Sequence, residues 1–266
     1  MGEYFIFRKK RMYYRDSGEG KVLVLLHGFT EDQVIWNHFV KKLKNEFRII
    51  TMDLPGHGRS EIVSDVHTMD LMADCVNSLL NHLKIRKCVM IGHSMGGYVT
   101  LAFANKFPGK LRGFGLFHSH AAADTPEARI NRERTINLVD LDKTGFIREF
   151  IPVLFDPSNV NKYKKEIMLL KESAAKIDKR GLIAALEGMK ERVAHTDLLK
   201  YTRLPVLFII GKNDSRVPPE LSLQHAILPR QSHILLLDDV GHMGFIESKN
   251  ITLSTIKAFI LRANGQ

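Results

Sequence analysis

The chain has little cysteine: two among 266 residues, Cys75 and Cys88. One falls in a helical pattern and the other at the start of a strand-like run, with no Cys or His at metal-ligand spacing nearby. That argues against a disulfide framework and a Cys/His metal site, and predicts buried thiols in a reducing compartment. No apolar run approaches the length of a membrane span. The chain does not open with a basic segment followed by an apolar one, so no secretory signal is expected and the protein reads as cytoplasmic. A myristoylation signal beginning Met1-Gly2 would need Ser or Thr at position 6, which is Ile6. Low-complexity tracts and internal repeats are missing too. The length suits one large domain, or a domain carrying an insertion.

Acidic residues fall short of basic ones, 29 against 39, for a net charge of +10. Such a surplus can serve nucleic acid or an anionic membrane. Here the basic residues are scattered, apart from Arg8-Lys9-Lys10-Arg11 at what reads as a hairpin turn. A solvated surface, with no nucleic-acid or membrane partner, is the expectation.

What the chain does have is concentrated around Ser94. Cys88 to Ile91 is a short apolar run of strand length. Gly92-His93-Ser94-Met95-Gly96 follows, and Tyr98, Leu101, Ala102 and Ala104 then recur at helical spacing. A Gly-x-Ser-x-Gly on a strand-to-helix turn pushes the serine hydroxyl out of the backbone. The Met95 N–H then sits at a helix N-terminus, placed to face a developing oxyanion.

Strand-like and helical stretches alternate along most of the chain, which predicts an α/β fold with a mostly parallel sheet covered on both faces. From about 121 to 200 no strand is legible. Thr125-Pro126 starts one helix, Thr144 is placed to cap a second, and two more follow. The alternation resumes with Leu204 to Ile210. The domains are therefore read as a core of 1–120 and 201–266, interrupted by a helical cap at 121–200.

In a parallel sheet, functional groups gather beyond the carboxyl ends of the strands. Phe29, Ser94, Asp214 and His242 all fall in such loops. Serine needs a base, and that base needs a carboxylate to hold its tautomer. His242, in a Gly-His-Met-Gly loop before the last helix, is the candidate base, and Asp214 the candidate carboxylate. Asp238, Asp239 and Asp124 are weaker alternatives. His118 and His120 follow the strand after Ser94 and are placed to line a pocket. His93 is expected to point away from the hydroxyl, and His27 to bond loop backbone. Phe146, Ile147, Phe150 and Leu154 form an apolar stripe. That stripe glues the cap down or, together with Phe155, roofs an acyl pocket; Phe150 and Phe155 are its candidate substrate contacts.

Together these residues resemble the α/β-hydrolase superfamily over essentially the full chain. The resemblance rests on His27-Gly28-Phe29, Asp53-Leu54-Pro55-Gly56-His57-Gly58-Arg59-Ser60, the turn at Ser94, Asp214 and His242, in the order Ser, Asp, His. It implies a mostly parallel eight-stranded sheet flanked by helices. It also implies a helical lid and an oxyanion hole from the N–H groups of Phe29 and Met95. A serine at the turn sets the chain apart from epoxide hydrolases and haloalkane dehalogenases of this fold, which carry aspartate there. The expected activity is carboxylic ester hydrolysis through an acyl-enzyme on a small-molecule ester, with no metal or organic cofactor. The rival readings are a small-molecule receptor on the same fold, or a lactonase, a perhydrolase or a hydrolase of carrier-linked acyl esters. The last would need a basic docking face, and the stretch 121–200 has 15 Lys and Arg against 13 Asp and Glu.

Overall fold

The computed structural model describes residues 2–265. The apolar runs form eight strands: β1 (Gly2–Phe7), β2 (Lys10–Ser17), β3 (Val22–Leu26), β4 (Arg48–Met52), β5 (Cys88–His93), β6 (Leu111–Phe117), β7 (Val206–Gly211) and β8 (Ser232–Leu237). They make one sheet in the order β1-β2-β4-β3-β5-β6-β7-β8. β2 runs antiparallel to β1 and β4, and every other pairing is parallel. The β1–β2 hairpin turns on Arg8 and Lys9, with φ of 48° and 66°. Both turn residues being left-handed is what a tight two-residue hairpin requires, and it puts the centre of the basic quartet at an exposed tip.

The helices are α1 (Asn37–Leu43), α2 (Met69–His82), α3 (Met95–Lys106), α4 (Pro126–Phe150), α5 (Lys164–Ala175), α6 (Lys179–Lys190), α7 (Thr196–Tyr201), α8 (Pro219–Ala226), α9 (Gly244–Glu247) and α10 (Lys249–Ala263). Successive strand residues point to opposite faces, so each central strand feeds two cores. Val24, Leu26, Met90 and Phe208 pack with Met72, Leu79, Val99 and Phe103 of α2 and α3. Leu23, Leu25, Val89 and Ile209 pack with Phe39 of α1 and Phe259 of α10. Burial on both faces explains why β3, β5 and β7 read as continuous apolar runs.

Between β6 and β7 the described residues hold helices and no strand. The second helix start expected at Thr144 is a bend within α4 instead. Asp142 leaves helical geometry (φ −147°, ψ 80°), and its carboxylate accepts the Gly145 N–H at 2.8 Å. A carboxylate three residues before that N–H is the stronger cap, so Asp142 starts the second segment rather than Thr144. α6 sits close against the loop before α2. The His67 N–H donates to the Ala184 carbonyl at 2.9 Å, and the His67 carbonyl occupies the space that a side chain at 188 would need, hence Gly188. The closing helical stretch is two helices, broken at Ser248 (φ −133°, ψ 46°). Among the described residues no helix is long and apolar enough to cross a membrane.

Candidate active site

Ser94 lies between β5 and α3, as the N-cap of the helix, with φ 49° and ψ −114°. A non-glycine residue holds such geometry only where its surroundings over-determine it. Here the Ser94 N–H donates to the Phe117 carbonyl at 2.9 Å, and the Ser94 carbonyl accepts from Gly97 at 2.9 Å. The position a Gly92 side chain would take is filled by the Gly96 backbone. The turn thus needs glycine on its strand side, and Ser94 is carried to the wall of a cavity.

That cavity, about 490 Å³, is also lined by Phe29, His242, Phe150, Leu154 and Tyr98. α4 and α6 contribute to its wall through Arg132 and Leu186 among others, so the helices between β6 and β7 cover the carboxyl edge of the sheet. Asp214 follows β7, and His242 follows β8. The His242 Nδ1 lies 2.9 and 2.8 Å from the two Asp214 oxygens. A carboxylate in that position keeps a proton on Nδ1 and turns Nε2 away from Asp214. The His242 N–H donates to the Leu154 carbonyl at 2.6 Å, which ties its loop to the segment after α4.

Asp214 has more donors than one histidine. The N–H groups of Arg216 and Val217 reach Oδ1 at 2.8 and 3.0 Å, and the His118 Nδ1 is 3.1 Å from Oδ2. Burial favours the neutral acid. The His242 charge and the hydrogen bonds from His118 and His242 outweigh it and hold the Asp214 pKa far below the ordinary carboxylate value. His118 is therefore not where the sequence reading put it. It is buried behind Asp214 and does not line the Ser94 cavity. Its Nε2 accepts the Gly244 N–H at 3.2 Å, which leaves Nδ1 as the donor to Asp214. Burial pushes this ring's pKa down to about 4, so it is neutral at pH 7. Although His118, Asp214 and His242 cluster closely enough to grip a cation, the facing atoms are already engaged with one another.

Phe155 is also displaced from expectation. It is fully buried against Tyr163, at 6.1 Å between rings, and its neighbour Leu154 lines the cavity in its place. Phe150 does reach the cavity. It stacks on Phe146 at 4.9 Å and meets Phe29 edge-on at 6.1 Å. The stripe therefore divides, with Phe150 and Leu154 lining the Ser94 cavity while Ile147 is buried in the core.

The loop after β3 is braced by its own side chains. The His27 Nδ1 donates to the Gly28 carbonyl at 2.8 Å, and its Nε2 accepts the Leu54 N–H at 2.9 Å. The Gly28 N–H is taken by Glu31 at 2.5 Å. Among the described residues the Phe29 N–H has no backbone hydrogen-bond partner, and Met95 is the first residue of α3, where helix N–H groups lack intrahelical partners.

Glu31 itself carried no signal in the sequence. It lies 3.0 Å from the His93 Nδ1, with both side chains buried, and the His93 Nε2 donates to the His242 carbonyl at 2.9 Å. Burial disfavours both charges, yet each partner's charge and hydrogen bond prevail: the Glu31 pKa is lowered and that of His93 raised. One ion pair thus joins the Phe29 loop, the Ser94 turn and the His242 loop. The adjacency of His93 to Ser94 was the available clue, but its partner is 62 residues away.

A family model described as the alpha/beta hydrolase fold matches residues 21–158. A thermophilic esterase from Thermogutta terrifontis, solved with malate bound, superposes with a TM-score of 0.91 at 34% identity, covering 96% of this chain and 94% of that one. The dihydrolipoyllysine-residue acetyltransferase component of the acetoin cleaving system of Pseudomonas putida is 30% identical over 93% of this chain. The match spans 66% of that protein, just under two thirds of its length. A 2-hydroxy-6-oxononadienedioate/2-hydroxy-6-oxononatrienedioate hydrolase of Escherichia coli is 27% identical over 95% of this chain and 92% of its own.

Proposed function

The chain belongs to the α/β-hydrolase fold family, and on that premise we propose that it is a serine hydrolase of small carboxylic esters. The observation that carries the proposal is the convergence of Ser94 and His242 on one cavity, with both Asp214 oxygens on the His242 Nδ1. The likeness to a Thermogutta terrifontis esterase at 34% identity supports it.

In this reading His242 Nε2 takes the Ser94 proton as Oγ attacks the ester carbonyl carbon. The Phe29 and Met95 N–H groups hold the tetrahedral oxyanion. Collapse of the intermediate breaks the bond to the alcohol oxygen, which leaves with the proton from His242. Water then repeats the sequence on the acyl-enzyme, giving the carboxylic acid and restoring Ser94. Asp214 keeps its charge throughout and stabilises the imidazolium, as its depressed pKa requires. No step calls on a metal or an organic cofactor.

Replacing Ser94 tests this directly. Ser94→Ala is expected to lower kcat on p-nitrophenyl butyrate by roughly 10⁴-fold or more with the circular dichroism unchanged. A folded variant with the wild-type rate would refute the assignment. Sustained multiple turnover by the wild type separates an enzyme from a receptor built on the same fold.

A further inference from the structure

The cavity that holds Ser94 carries more positive charge than its carboxylates balance. Three guanidinium groups line it, from Arg132, Arg192 and Arg216, and two carboxylates, Glu31 and Asp124. Glu31 is committed to His93 and to the Gly28 N–H. Asp124 is shared, pairing with both Arg132 and Arg192, and Arg192 also lies over the Tyr98 ring at 4.1 Å. The histidines on this wall add no anion. His120 is pushed down to about 3, by burial and then by the Arg192 charge, and so is neutral.

Arg216 is left over. Among the described residues it has no ion pair, and its guanidinium lies over the Phe150 ring at 5.2 Å. Its side chain is exposed and lines the cavity, close enough to Arg132 and to Asp214 to feel both charges, though it pairs with neither. Its position is fixed from behind, since its own N–H donates to Asp214, and Phe150 packs between it and Phe29. A planar fork of N–H donors held beside an aromatic ring, with no carboxylate of its own, suits a planar anion.

Resting on the serine-hydrolase reading above, we propose that Arg216, with Arg132 on the same cavity, forms a carboxylate subsite. The esters cleaved at Ser94 then carry a free carboxylate, on the acyl side or on the alcohol side. The second charge of the substrate is what this cavity is short of. A neutral ester of the same shape would leave the guanidinium facing water or apolar groups.

Two pairs of esters test the subsite and locate the charge. Monomethyl glutarate carries it on the acyl side, and methyl 5-methylhexanoate is its neutral match. O-butyryl glycolate carries it on the alcohol side, matched by isobutyl butyrate. At low ionic strength at least one charged ester is expected to exceed its match in kcat/KM by roughly tenfold or more. Arg216→Gln should cut that ratio by roughly tenfold to a hundredfold, through KM, the worth of a hydrogen bond to a charged group. Arg216→Lys should fall between. If the wild type shows no preference for either charged ester, or if Arg216→Gln keeps the preference, the subsite is wrong. Calorimetric titration of glutarate into Ser94→Ala, with and without Arg216→Gln, reads the subsite independently of chemistry. Glutarate binding lost on Arg216→Gln supports it even if no ester is hydrolysed, which would instead refute the function above. No glutarate binding to Ser94→Ala counts against the subsite itself.

Discussion

Glu31 and His93 are two charges with almost no water around them, and their value to the fold depends on pH. The Glu31 pKa lies below its ordinary 4.5, so its contribution is present above about pH 4.5 and fades as the pH falls through the depressed value. The His93 pKa lies above its ordinary 6.5, so its contribution is complete below about pH 6.5 and is lost as the pH rises through the raised value. Both are fully present only between those limits. Glu31→Gln strands a buried imidazolium and is expected to cost about 3 kcal/mol there, the usual penalty for removing one member of a buried pair. The loss should shrink in alkali, where His93 gives up its proton. Urea midpoints of wild type and variant at about pH 6 and about pH 9 check this. An equal gap at both values would mean that His93 carries the same charge at both.

At the scale of the element, the segment from α4 to β7 does two jobs with neighbouring side chains. Phe155 belongs to the core: it is fully buried, and its ring meets Tyr163. Phe150 belongs to the cavity, between Phe29 and Arg216. Phe155→Ala is therefore expected to cost about 3–5 kcal/mol of stability and to leave the preference for acyl chain length as it was. Phe150→Ala should cost less stability and move the optimum toward longer acyl chains, because room opens on the Ser94 side. Wild-type kcat/KM is expected to rise from acetyl toward hexanoyl by at most about fourfold per buried CH₂. Measuring p-nitrophenyl esters from acetyl to decanoyl on all three proteins separates the roles. A shifted optimum in Phe155→Ala, or none in Phe150→Ala, would reverse them. α6 holds this layer to the core through backbone, by the His67–Ala184 hydrogen bond and the close approach at Gly188.

Across the whole molecule, one sheet with a core on each face makes opening a collective event. The two free cysteines report on it. Cys75 and Cys88 are both buried, and burial raises both thiol pKa values, Cys88 to about 12. Cys75 packs in the core of α2, and Cys88 starts the central strand β5. Neither should react with Ellman's reagent in the native protein, since the thiolate is both scarce and covered. In urea, both are expected to become reactive together, along the transition seen by circular dichroism. Rapid labelling of either thiol in native buffer would show that its element opens independently of the rest.

Much of this molecule is legible in its sequence. Continuous apolar runs such as Val22 to Leu26 and Leu204 to Ile210 mark strands buried on both faces, the second beginning at Val206 in the structure, and Gly-x-Ser-x-Gly between a strand and a helix marks the turn at Ser94. These signals are local, because strand pattern and turn chemistry are written in adjacent residues. Asp214 and His242 were readable as loop residues at strand ends, where a parallel sheet gathers its chemistry. What only the tertiary structure decided depends on contacts between distant segments. It put Glu31 on His93 and set His118 behind Asp214 rather than on the cavity wall. It sent Phe155 inward while leaving Phe150 at the cavity, and among the described residues it left Arg216 without an ion pair while giving Asp124 to two other arginines. A lone glutamate, histidine or arginine has no periodicity to betray it. Whether it is paired, buried or left facing a cavity is set by what folding brings beside it, across 62 residues for Glu31 and His93 and 96 for His118 and Asp214.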